Sequence, residues 1–215
     1  MLKNVKACIF DMDGTLVDSM WVWRQIDIDY LARFGLTVPK DMGKEFEGAS
    51  MREVAMYFKN RFGIEDTIDK MIEDWNNMAF DKYCNEVKLK PGATDFLNYL
   101  KENKIKIGLY TSNSMLLAEA TLKSHGIDSY FDALTAGCKD IKGKPAPDGY
   151  LMTAEKLSVS PEHCLVFEDL VMGIQAGINA GMRTCAVKDH YSLYQDEDKK
   201  KIADYYIEDY NEFFS

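Results

Sequence analysis

The chain has 215 residues, of which 47% are hydrophobic and 28% charged, and its formal net charge is −9. That length suits one large domain, or a core carrying a small insertion, and is enough to bury a sizeable core. The negative balance argues against nucleic acid or an anionic membrane surface as the main partner, while an anionic small molecule stays admissible because a bound cation can reverse the field within a pocket. Cys8, Cys84, Cys138, Cys164 and Cys185 form no CxxC pair, so neither a disulfide framework nor a cysteine metal site is expected, and a reduced setting fits. The first apolar run ends at Asp11, too short for a signal peptide, and no stretch reaches the length of a membrane span. A cytoplasmic protein is expected.

Val5–Phe10 is short and mostly apolar, which predicts a strand buried on both faces. Asp11 and Asp13 follow its carboxyl end, and on an extended backbone their side chains leave from one face. Two such charges repel unless a cation sits between them, and a hard divalent ion such as Mg²⁺ is the natural candidate. Gly14 allows the sharp turn away from them; a plain solvated turn is the alternative reading. From Ser19 to about Tyr83 the pattern is helical. Ser19 can cap a helix reaching Phe34 and ended by Gly35, a second helix runs from Ser50 to Phe62 before Gly63, and a third covers Asp66 to Tyr83. No strand is expected within this block.

Pro91-Gly92 marks a change of rhythm. Apolar runs at Ile105–Thr111, Ala133–Ala136, Cys164–Phe167 and Thr184–Val187 now alternate with helical patterns at Ala93–Glu102, Met115–Ser124, Pro147–Leu157 and Val171–Ala180. Tyr205–Ile207 adds a final strand, and Tyr210–Phe214 a closing helical turn. The alternation implies βαβ units, hence an α/β, Rossmann-like parallel sheet with helices on both faces. The expected organisation is a core of residues 1–17 and 88–215 with a small all-helical insertion over 18–87. Asp198–Lys201 reads as a solvated helix face.

Three further clusters follow ends of predicted strands. Thr111-Ser112-Asn113-Ser114 offers hydroxyl, amide and backbone N–H donors to an anion, or simply caps a helix. In Lys142-Gly143-Lys144-Pro145-Ala146-Pro147 the two prolines stiffen the loop around Lys144, a cation suited to neutralising a phosphate or carboxylate, whereas Lys139 and Lys142 read as solvated. Glu168-Asp169 places two acids at the end of a buried strand, costly unless they are paired or bind metal. Taken together the four clusters converge on one edge of one sheet, where α/β folds build their sites.

In this order, Asp11-Met12-Asp13-Gly14-Thr15, Thr111, Lys144-Pro145 and Glu168-Asp169 resemble the haloacid dehalogenase-like hydrolases, in the branch with a helical cap inserted after the first strand. The resemblance spans essentially the whole chain. It implies Asp11 as nucleophile forming an aspartyl-phosphate, Asp13 as general acid and then base, and Thr111 and Lys144 as holders of phosphoryl oxygens. It further implies Mg²⁺ bound by Asp11, the backbone carbonyl of Asp13, and Asp169, with Glu168 in support. Ser112 and Asn113 become candidate substrate contacts. Leu170 departs from the small polar residue that the family often has there, which bears on local capping and on hydrogen bonds around the metal acids. An acid at Asp13 favours phosphorus chemistry over carbon–halogen chemistry.

The implied activity is a Mg²⁺-dependent phosphatase acting on a small phosphorylated metabolite. The cap would choose the leaving group, with candidates in Trp21, Trp23, Arg24 and the Gly48–Arg52 stretch. Arg52 could meet a second anion on the substrate, or pair with Glu53 or another neighbour; the tryptophans could equally be core. A β-phosphoglucomutase-like mutase is the alternative, but that group carries a histidine on the first cap helix where this chain has Trp23. Its histidines, His125, His163 and His190, all lie in the core. A non-catalytic phosphate-binding protein would be expected to have lost Asp11 or Asp13.

Overall fold

The apolar run after Val5 becomes β1 (Ala7–Phe10), four residues buried without exception. In the computed structural model, which describes residues 1–39, 42, 49–137 and 142–214, β1 lies inside a six-stranded sheet. The others are β4 (Lys106–Thr111), β5 (Ala133–Ala136), β6 (Cys164–Glu168), β7 (Arg183–Val187) and β8 (Tyr205–Ile207), in the order β5-β4-β1-β6-β7-β8 with every pair parallel. The chain fills the sheet on one side of β1 through β4 and β5, then crosses to the other side with β6. This reversal opens a crevice at the carboxyl ends of β4, β1 and β6. β1 is shorter at its start than the apolar run predicted, because Val5 is bonded to Leu2 in a turn.

Alternate residues of β1 feed two cores. Cys8 and Phe10 join the larger cluster, where Phe10 stacks on Phe167 with ring centroids 4.7 Å apart; Ala7 and Ile9 join the smaller one on the opposite face. Helices α4 (Ala93–Glu102) and α5 (Met115–Ser124) contribute Phe96, Leu97 and Leu117 to the first cluster, while α6 (Asp148–Leu157) and α7 (Val171–Asn179) contribute Tyr150, Ala154 and Ala176 to the second. Both sheet faces are thus covered, as all-parallel strands require.

Between β1 and α4 lie α1 (Met20–Ala32), α2 (Met51–Phe62) and α3 (Ile68–Asn85). A capping box between Ser50 and Glu53 starts α2, left-handed Gly63 ends it, and Thr67 caps α3 by accepting from the Lys70 N–H at 3.2 Å. Tyr30, Phe58 and Trp75, one from each helix, meet edge to face at 5.2–5.6 Å where α1 and α2 contact α3. Two strands of two residues each, β2 (Val17–Asp18) and β3 (Lys88–Leu89), pair antiparallel where the chain enters and leaves this block; they are too short to show in a sequence pattern.

Two expectations need correcting. Ser19 precedes α1, but its side chain makes no cap bond, the hydroxyl being engaged elsewhere. Lys199 in α8 (Asp196–Ile202) is wholly buried rather than solvated, donating to Ser192 Oγ at 3.1 Å and pairing with Asp196 Oδ1 at 2.6 Å. Cys8, Cys84, Cys164 and Cys185 are free thiols, whereas Cys138, Lys139 and Gly48 lie outside the described residues. Among the described residues no helix is long and apolar enough to cross a membrane.

Candidate active site

β1, β4 and β6 each end on a polar residue aimed into the crevice. Asp11 follows β1, Thr111 closes β4, Glu168 closes β6 with Asp169 next, and Lys144 enters from the loop before α6; all five are buried. Carboxylate oxygens of Asp11, Glu168 and Asp169 lie within 4.8 Å of one another. Lys144 Nζ bridges two of them, 2.5 Å from Asp11 Oδ1 and 2.5 Å from Glu168 Oε1. Its ammonium also lies 5.1 Å from the centre of the Tyr110 ring, a cation–π distance.

Each acid is held by specific groups. Glu168 Oε1 accepts from the Tyr150 hydroxyl at 2.6 Å, and Oε2 accepts from the Asp169 N–H at 3.2 Å. Gly173 makes the space for this carboxylate, because a Cβ there would collide with it. Asp169 Oδ1 accepts from the Thr15 hydroxyl at 3.1 Å, and its backbone carbonyl accepts from Ser192 Oγ at 2.9 Å. Gly14 turns in the left-handed region with φ 78°, and a Cβ at that position would strike Asp169 Oδ2. That oxygen is buried and has no hydrogen-bond partner among the described residues.

Asp13 stands apart from the trio. Ser19 Oγ donates to its Oδ1 at 2.6 Å, the Tyr83 hydroxyl of α3 donates to the same oxygen, and Asn113 Nδ2 donates to Oδ2 at 3.3 Å. The bond to Ser19 explains why that residue caps no helix. Thr111 Oγ1 accepts from the Asn113 N–H at 3.0 Å, and Ser114 starts α5 by accepting from the Leu117 N–H at 3.3 Å. Leu170 offers no cap to α7; Gln195 Oε1 does so from 24 residues away, accepting from the Val171 N–H at 2.8 Å.

The Asp11 carboxyl is raised to about 8, chiefly by burial, with Lys144 opposing and Glu168 and Asp13 adding to the rise. Burial also drives Asp169 upward, reinforced by Glu168 and Asp11. For Lys144 burial opposes the charge, but Asp11 and Glu168 outweigh it and keep the ammonium above its usual range. Three buried carboxyl groups therefore face one ammonium, and ionising all of them leaves an excess of negative charge that a cation would relieve.

A cavity of about 470 Å³ opens over these groups, within the range of about 300–1,000 Å³ usual for small-molecule sites. Asp11, Asp13, Thr111, Ser112, Asn113, Lys144 and Glu168 line its core side, and Trp23 and Arg24 its helical side. Arg52 is not among the lining residues; its guanidinium donates to Asp69 Oδ1 at 3.1 Å on an exposed surface. Trp21 is likewise outside, donating to the Asp18 carbonyl at 3.1 Å. Spacing along the sequence marked neither Tyr83 nor Tyr150 as a partner of these acids, since each is an ordinary apolar position of its helix.

A family model described as haloacid dehalogenase-like hydrolase matches residues 5–181. The chain belongs to this family. Among curated relatives of this haloacid dehalogenase-like hydrolase, a "Phosphorylated carbohydrates phosphatase" of Thermotoga maritima is 29% identical over 83% of this chain and 82% of its own length. A "Probable pseudouridine-5'-phosphatase" of Drosophila melanogaster is 29% identical over 88% of this chain and 84% of its own. The crystal structure of CbbY from Rhodobacter sphaeroides in complex with phosphate shares the fold, with a TM-score of 0.85 at 22% identity over 97% of this chain and 96% of that one. The protein is thus a hydrolase, and both of these curated relatives carry phosphatase names.

Proposed function

We propose that the protein is a Mg²⁺-dependent phosphomonoesterase that acts on a small phosphorylated metabolite through an aspartyl-phosphate on Asp11. The observation carrying this reading is the buried trio of Asp11, Glu168 and Asp169 with Asp169 Oδ2 unpartnered among the described residues. A donor set made only of hard oxygens suits Mg²⁺, and the space that Gly14 keeps free beside Asp169 Oδ2 fits a bound ion. Asp11, Asp169 and the backbone carbonyl of Asp13 would hold it, with Glu168 in support. Bound there, the ion supplies charge neutralisation for a phosphoryl group next to a carboxylate.

The residues divide the remaining work. Asp11 attacks phosphorus, and Lys144, touching Asp11 Oδ1, offsets the repulsion between carboxylate and phosphate dianion. Thr111, Ser112 and Asn113 surround the phosphoryl oxygens on the same cavity wall. Asp13, oriented by Ser19, Tyr83 and Asn113, gives a proton to the departing alkoxide, then takes one from the water that cleaves the aspartyl-phosphate. A histidine on the first insertion helix, which the mutase alternative calls for, is absent from residues 18–87; Trp23 lines the cavity there.

Phosphate release from a panel of sugar phosphates, nucleotides and phosphoglycolate tests the reading. Release is expected with Mg²⁺, none with a chelator, and none from Asp11→Asn under either condition. Turnover that persists in Asp11→Asn, or isomerisation of a sugar phosphate without release, would sink it.

A further inference from the structure

Lys199 of α8 is wholly buried, and an ammonium is costly to keep out of water unless its protons are well placed. Two groups receive them: Asp196 Oδ1 at 2.6 Å and Ser192 Oγ at 3.1 Å. Asp196 is anchored in turn, its Oδ2 accepting from the Tyr206 hydroxyl of β8 at 2.7 Å. Ser192 is 1% exposed and passes the contact on, its hydroxyl donating to the Asp169 backbone carbonyl at 2.9 Å. Lys199 forces that direction. An ammonium only donates, so the Ser192 oxygen accepts from it and the one hydroxyl proton is left for a carbonyl. The Asp169 carbonyl is the nearer, that of Asp189 lying 3.5 Å away.

The Ser192 bond completes the fixing of Asp169. The Asp169 N–H donates to Glu168 Oε2 at 3.2 Å, its Oδ1 accepts from Thr15 at 3.1 Å, and Ser192 holds its carbonyl. Only Oδ2 is left without a partner among the described residues, so three held groups aim the fourth. The far side of Leu170 is gripped from the same segment, the Val171 N–H donating to Gln195 Oε1 at 2.8 Å. Ser192 and Gln195 thus hold the two peptide groups that flank Leu170, a residue whose own side chain can hold neither. We propose that Lys199 is a positioning residue for the metal site: through Ser192 it fixes the Asp169–Leu170 peptide, and so keeps Asp169 Oδ2 where a divalent cation binds. This rests on the metal reading above and adds a support outside the cavity, since Lys199 is not among the lining residues.

Calorimetric titration of Mg²⁺ into the metal-free protein tests this, in the wild type, Lys199→Met, Ser192→Ala and the double variant. Each single substitution is expected to raise the Mg²⁺ dissociation constant by about 10–100-fold, the usual loss when a group supporting a metal ligand is removed. The double variant is expected to match the singles, because the two residues act in series. A merely structural Lys199 would lower the melting temperature and leave the dissociation constant alone. A constant unchanged in either single variant, or two effects that multiply in the double, overturns the inference and leaves the metal reading intact. A wild type that takes up no Mg²⁺ removes both. Should Lys199→Met not fold, Asp196→Asn replaces it, weakening the anchor of Lys199; the constant is again expected to rise, and an unchanged one again overturns the inference.

Discussion

Gly173 shows how far the site depends on single side chains being absent. In the interior of a helix, replacing glycine by alanine normally gains about 0.5–1 kcal/mol. Here the added Cβ would sit within the Glu168 carboxylate, and that carboxylate also holds Tyr150 and Lys144. Overpacking of this kind costs about 1–3 kcal/mol, so the loss outweighs the gain. Gly173→Ala is expected to melt at a lower temperature than the wild type and to release phosphate at least tenfold more slowly. A higher melting temperature would mean that Glu168 can give way without cost.

At the scale of elements, α7 depends on a residue outside itself. Leu170 cannot cap it, and Gln195 does so from beyond β7. Losing such a cap typically costs about 1 kcal/mol, which in a domain of this size lowers the melting temperature by roughly 2–4 °C. Gln195→Ala should show that fall in a calorimetric scan, and Gln195→Glu, which keeps the acceptor and adds charge at a helix N-terminus, should recover most of it. Equal melting of all three proteins would remove Gln195 as the cap. Neither this contact nor most others between distant segments could be read from spacing. Hydrophobic period and turn residues gave the helices and strands, because those signals are local. Ser19 looked like a cap because its sequence neighbourhood matches one, yet its hydroxyl has a stronger use on the Asp13 carboxylate. Lys199 sits in a run of charge that reads as solvent-facing, but Ser192 and Asp196 supply buried partners. The four clusters at strand ends were legible because a parallel sheet brings such positions together by construction. Of the α1 residues that line the cavity, Trp23 and Arg24 were legible as candidates, whereas Asp27 was not, since it reads as a surface position until the cavity above it is seen.

For the molecule as a whole, Asp11 and Asp169 set how stability follows pH. An Asp11 carboxyl raised to about 8 keeps its proton in the folded state between about pH 4 and 8, where the unfolded chain has already lost it. The unfolded state then binds fewer protons, so stability falls as pH rises through that window. A cation bound to the ionised acids reverses this contribution. Without metal the melting temperature is expected to decline from pH 5 to pH 8, and saturating Mg²⁺ to raise it more at pH 8 than at pH 5. A Mg²⁺ effect equal at both values would contradict the assignment of these carboxylates as ligands.

The central place of β1 also matters before the protein is complete. Its two neighbours in the sheet, β4 and β6, begin only at Lys106 and Cys164. At about 5–20 residues per second of synthesis, roughly 8–30 s separate the emergence of β1 from that of β6. For that interval Ala7-Cys8-Ile9-Phe10 is an apolar strand with unpaired edges, open to pairing with another chain. Placing Asp11 at the middle of the sheet thus leaves β1 waiting longer for its second neighbour than any other strand of the sheet.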